Sequence, residues 1–172
     1  MMMKKEVIII LITTILVILP ILWVIQHSDA NNSDLKKYDV YSIETKKIDN
    51  KNVSIVYQIK NPSPYEHLNN IDSKTKAEIC YITWYMFNHY HNIDEVQIIA
   101  YYNDTGKLKE YYKFKIDRNA AEISGLLNIS DADISSNMYY YYRKIIKLGV
   151  LKVKDVNIPY WRRVYGYNNT NQ

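Results

Sequence analysis

Residues 96–116 read VQIIAYYNDTGKLKEYYKFKI, two apolar and aromatic runs on either side of Asn103, Asp104, Thr105 and Gly106. The composition is that of a β-hairpin, because β-branched and aromatic side chains favour strands and a turn glycine takes a positive φ at no steric cost. Alternation along the second run places Leu108, Tyr112, Phe114 and Ile116 inward and Lys109, Tyr111, Lys113 and Lys115 outward. Glu110 falls on the inward face, the one carboxylate whose position breaks the pattern. Such an acid either serves proton transfer or guards a sheet end or edge against pairing with another chain.

Working back from this hairpin, Val53, Ile55, Tyr57 and Ile59 alternate with Ser54, Val56, Gln58 and Lys60. That predicts a second strand, joined through a turn at Asp49, Asn50 and Lys51 to a first strand within 38–47. The sequence Asn61, Pro62, Ser63, Pro64 stops the strand, since Pro cannot donate to a ladder. Thr75 with Glu78 three residues on forms a capping-box pattern before Ile79, Ile82, Met86 and Tyr90, with Cys80, Trp84 and Phe87 widening the apolar stripe. Beyond the hairpin, Ser130 or Asp131 opens a helix carrying Ile134, Met138, Tyr141, Ile145 and Leu148 and closed by Gly149. Residues 150–165 are able to add a strand, and 168–172 should fray.

The expected order is therefore strand, strand, helix, strand, strand, helix. It describes an α+β fold with a small, mostly antiparallel sheet and helices packed on one face. Over residues 38–117 this order, with a strand ending in Ala100, Tyr101 and Tyr102, resembles small uncharacterised bacterial domains of unknown function. The resemblance carries no catalytic signature and implies a fold class alone.

The N-terminus adds a different element. Val7 to Ile25 is a run of nineteen residues without charge, preceded by Lys4 and Lys5. At a rise of 1.5 Å per residue such a run covers about 30 Å of hydrocarbon, so it is expected to be a single transmembrane helix contacting the lipid bilayer. Its length, and Trp23 at interfacial depth, favour a retained anchor over a signal peptide. Ser28 and Ala30 keep open the alternative of cleavage near Ala30 and secretion. Lys4 and Lys5 place the N-terminus in the cytoplasm and the rest of the chain outside it. The expected organisation is residues 1–25 as basic start and anchor, 26–37 as polar linker, 38–167 as extracytoplasmic domain and 168–172 as tail.

Composition narrows the function classes. The 22 basic and 18 acidic residues, less Lys4, Lys5 and Glu6, leave 20 against 17, a net of +3 spread along the chain. Nucleic acid is not an expected partner. Cys80 is the single cysteine, which excludes an intrachain disulfide and reads as inert core. Tyr is far in excess, 18 against 3 Trp and 2 Phe, which suggests many half-buried rings with wet tips.

No constellation of reactive groups converges. His89 and His91 lie two apart, so on a helix their rings diverge and fit a fraying helix end better than a metal site. Asp131, Asp133 and Ser135 imitate a calcium loop, but Ser136 and Tyr142 stand where Gly and Glu are needed. The few glycines make no phosphate loop, and no cofactor is expected.

The suggestive residues are aromatic and basic. Tyr139 to Tyr142 point round most of a helix, so Tyr141 and Tyr142 should bury while Tyr139 and Tyr140 face outward. Tyr160, Trp161, Arg162 and Arg163 have the composition of a binding hot spot. The leading expectation is a membrane-anchored, extracytoplasmic, non-enzymatic module that binds a protein or envelope component through these six residues. A cell-wall or glycan-binding domain using exposed Tyr or Trp, Trp84 included, is the alternative. An envelope hydrolase is third, and needs Glu110 or another carboxylate in a cleft facing a second acid at about 5–9.5 Å.

Overall fold

The computed structural model of the chain describes residues 33–61, 71–104 and 106–154. A short helix α1 (Ser33–Lys36) leads into strands β1 (Val40–Ile48) and β2 (Lys51–Lys60). They form a hairpin with Ile48 opposite Lys51, and the two turn residues Asp49 and Asn50 both take positive φ, 48° and 64°. That is the geometry whose twist matches paired strands, and Asp and Asn tolerate it.

Helix α2 (Ser73–His89) follows, then β3 (Glu95–Asp104), β4 (Lys107–Asp117), a short helix α3 (Arg118–Ile123), a 3-10 turn (Leu126–Asn128), helix α4 (Asp131–Leu148) and β5 (Val150–Val153). The sheet has the order β1-β2-β3-β4-β5. β2 and β3 run parallel, with Val53 opposite Glu95 and Lys60 opposite Tyr102, while the other three pairs are antiparallel. α2 is the crossover that a parallel pair requires.

This corrects the expected fold class: α+β stands, but the sheet is mixed, with a parallel pair at its centre. Among the described residues no helix is long and apolar enough to cross a membrane. The stretch from Val7 to Ile25 lies outside the described residues, as do 155–172.

Capping sets the helix limits. Asp72, not Thr75, is the N-cap of α2, its Oδ1 accepting from the Thr75 amide at 2.6 Å. Glu78 is thereby released from the expected capping box and points into the core. Arg118 closes the other end of α2, its guanidinium donating to Tyr90 O and Ile93 O at 2.8 Å and lying over the Phe87 ring. A cation there meets the exposed carbonyls of the last turn. Ser130 caps α4 through the Asp133 amide, and Asn137 interrupts its helical φ/ψ just before the tyrosine run. Gly149 is the C-cap of α4, its amide donating to Ile145 O, and only glycine fits there, since any Cβ would stand 2.8 Å from Lys115 O and from the Phe114 ring.

The main core lies between α2, α4 and one face of the sheet, and includes Val56, Ile79, Ile82, Phe87, Ile98, Phe114, Ile134 and Ile145. A smaller cluster occupies the opposite face, where Val53, Ile55 and Ile99 pack with Tyr57 and Tyr101. It is drawn from β2 and β3 alone.

The structure assigns the faces of β2, which alternation alone left open, and overturns the expected faces at the start of β4. On β2 the set turned toward the helices is Ser54, Val56, Gln58 and Lys60, while the more apolar set faces away. On β4 the pairing skips between Ala100 opposite Tyr112 and Tyr101 opposite Glu110, so Tyr111 is an extra, bulged residue. A bulge reverses the side-chain phase beyond it. Tyr111 is consequently buried, Leu108 is exposed and Glu110 leaves the inward face.

Candidate functional site

Because β2 turns its polar side inward, the carboxyl end of that strand delivers Gln58 and Lys60 to the inner face of α2, where Glu78 projects from the second turn. Lys60 is 4% exposed and Glu78 2%. The Lys60 ammonium donates to Glu78 Oε2 and, at 2.9 Å, to Asp39 Oδ2. Gln58 donates through Nε2 to Tyr38 O at 2.6 Å and to Glu78 Oε2 at 3.4 Å, and its Oε1 accepts from the Tyr112 hydroxyl. Lys74 stands 3.6 Å from Glu78 Oε1, the outer rim of the network, and that oxygen has no hydrogen-bond partner.

Burial pushes the Glu78 carboxyl above its ordinary range, against the pull of Lys60. Burial also acts to lower Lys60, but the adjoining Glu78 and Asp39 carboxylates outweigh it and keep the ammonium charged. The pair is compensated on both sides, and its chemistry is that of a clamp between β2 and α2, not of a free acid or base. Sequence patterning missed it, because Glu78 read as a capping residue. The signal available was its position in the apolar stripe of α2 one residue before Ile79.

The α4 surface is organised differently. Tyr142 is buried, Tyr141 half-buried, and Tyr139 and Tyr140 are 44% and 56% exposed. Arg143 lies over the Tyr139 ring at 4.8 Å and Lys144 over the Tyr140 ring at 4.5 Å. Tyr139 also stacks on Tyr142, with centroids 6.5 Å apart. The outer aromatic surface is therefore fixed from below by a buried ring and from the side by two cations. Burial pushes Tyr142 up to about 12, with Tyr139 adding to the shift.

Tyr160, Trp161, Arg162 and Arg163, named from sequence with Tyr139 and Tyr140, lie outside the described residues. Trp84 is buried, its indole donating to Ile129 O at 3.2 Å, and offers no flat platform to a sugar. Glu110 sits half-buried on the outer sheet face with Tyr101, not a second acid, as its cross-strand neighbour. His89 stacks on Tyr85 at 3.9 Å, its Nδ1 2.9 Å from Tyr85 O. Asp131 accepts from the Tyr81 hydroxyl at 2.9 Å. Cys80 is buried, which pushes its thiol up to about 12.

The uncharacterized protein MJ0415 of Methanocaldococcus jannaschii is 45% identical to this chain over 125 residues, 70% of this chain and 74% of that protein. The chain belongs to the MJ0415 family. No family model matches it, and no solved structure does. The MJ0415 relative is archaeal, so the expected likeness to bacterial domains is not supported; the likeness to an uncharacterised protein is.

Proposed function

We propose that this chain is a non-enzymatic interaction module, working outside the cytoplasm, that docks a protein partner on the outer face of α4. One observation carries the reading: Tyr139 and Tyr140 are exposed yet each is held under a cation from the next turn. Tyr and Arg are enriched at the energetic centres of interfaces, and rings already fixed lose little freedom on binding. The extracytoplasmic location is part of the proposal and is supported by the uncharged run from Val7 to Ile25 behind Lys4 and Lys5.

The test is a photo-crosslinking residue placed at position 139 or, as control, at the more exposed Ile123, in the full-length chain expressed in its own host. A single crosslinked protein at position 139, lost when Tyr140 and Arg143 become Ala, is the expected result. Absence of any adduct, with turnover of an envelope substrate in the same preparation, would overturn the proposal. Protease added to intact cells should reach the domain; protection of it would remove the location.

A further inference from the structure

The outer face of the sheet carries a second surface, at the β4–β5 edge. Lys113 and Lys152 stand directly opposite one another in the register, and Lys115 lies opposite Val150. By alternation Lys154 shares their face, and its amide donates to Tyr111 O at 2.8 Å. Lys115, Lys152 and Lys154 are exposed, and Val150 beside them is an exposed apolar residue. Among the described residues no carboxylate pairs with any of these four lysines. Like charges directly opposite on adjacent strands repel, so this pair disfavours the isolated sheet and favours an arriving anion.

The backbone says which kind of anion. Among the described residues β5 is the last strand of the sheet. With the Lys154 amide turned toward β4, antiparallel geometry turns the amides and carbonyls of Leu151 and Val153 away from it, toward the side of β5 on which no described strand lies. A polyphosphate or a sugar has nothing to place on that ladder, whereas a peptide in extended form matches it group for group. The lysines also repel a second copy of the same edge, so self-pairing is disfavoured by the feature that attracts an acidic strand.

We propose that the β5 edge receives an extended acidic segment of a partner protein as a sixth strand, its backbone on Leu151 and Val153 and its carboxylates on Lys113, Lys152 and Lys154. This rests on the reading of the chain as a binding module but uses a different surface from α4.

The experiment titrates the full-length chain with a labelled, blocked heptapeptide of alternating Glu and Val, followed by fluorescence anisotropy. Its Lys/Val counterpart, a backbone N-methylated copy and inorganic polyphosphate serve as the other probes. The Glu peptide should bind, the Lys and N-methylated peptides should not, and amide signals of Leu151 and Val153 should shift in isotope-edited spectra. Lys113→Glu with Lys152→Glu should weaken the Glu peptide about tenfold at low ionic strength and confer binding of the Lys peptide. Added salt should reduce both. Gain of the Lys peptide shows that the variant is folded. Equal binding of the N-methylated copy, indifference to the charge reversal, preference for polyphosphate or no binding at all would each overturn the proposal. Tyr139→Ala with Tyr140→Ala should leave peptide affinity unchanged, and loss of binding in that variant would also overturn it. A crosslinked partner at position 139 without peptide binding would leave the α4 reading standing and remove only the edge.

Discussion

Ile98 and Ile99 are neighbours on β3, yet one enters the core under α2 and α4 and the other enters a small cluster made by the strands themselves. The same division runs along β2, where Gln58 and Lys60 go inward and Ile55 and Ile59 outward. The helix-covered face thus tolerates charge, because α2, β4 and the residues just before β1 supply the Gln58 amide and the Lys60 ammonium with partners. The opposite face, on which no described helix packs, keeps a modest apolar centre and leaves lysines on its rim. Polarity alone does not tell which face of this sheet is the inside; the availability of partners does.

Breaking the inner clamp should produce the largest change. Glu78→Ala leaves the Lys60 ammonium buried with Asp39 as its remaining partner, and should cost about 3–5 kcal/mol in urea unfolding, whereas Lys60→Met with Glu78→Leu should recover most of it. Failure of the double variant to recover would mean that the geometry of the network, not charge compensation, holds β2 to α2. The isoleucine pair sharpens the contrast between faces. Ile98→Ala should lose about 2–5 kcal/mol and Ile99→Ala about half as much, because the smaller cluster can collapse around the gap. Equal losses would erase the distinction.

A smaller effect belongs to the outer face. Hydrogen bonds from Lys46 and from Tyr57 hold the Glu44 carboxyl below its usual range, and the bond to Glu44 pushes Tyr57 up to about 12. A depressed carboxyl stabilises the fold above its unfolded pKa of about 4.3 and loses this as pH falls through the folded value. A raised phenol stabilises below its unfolded pKa of about 10 and loses this as pH rises toward the folded value. Tyr57→Phe should therefore cost no more than about 1 kcal/mol, on a plateau between about pH 5 and 9, with the difference from the parent fading on both sides. Unfolding midpoints measured across that range check it. Least affected of all should be Tyr139→Ala with Tyr140→Ala, within about 0.5 kcal/mol of the parent in the same assay, since these rings face solvent.

Much of the fold was legible in short windows. The Asp49–Asn50 turn and the start of α4 at Ser130 follow from chemistry within a few residues, whereas the need for glycine at 149 comes from the distant Lys115 carbonyl and Phe114 ring. The outward placement of Tyr139 and Tyr140 likewise follows from helical periodicity. The face assignments were not legible. The bulge at Tyr111 exists only in the register between β3 and β4, and the partners of Gln58 lie 20 residues away at Glu78 and 54 away at Tyr112. The tyrosine surplus was read as half-buried rings, yet Tyr102, Tyr111 and Tyr112 are among the largest fully buried side chains.

What the amino-acid order determined by itself was the set of turns, caps and periodic stretches, because each depends on interactions across three or four residues and on the steric limits of single residues. What the tertiary structure decided was which side of each strand became interior, that β2 and β3 run parallel, and that Lys60 and Glu78 meet. Those outcomes depend on groups distant in sequence, and a buried charge or amide is tolerable only after the fold has brought its partner within hydrogen-bond reach.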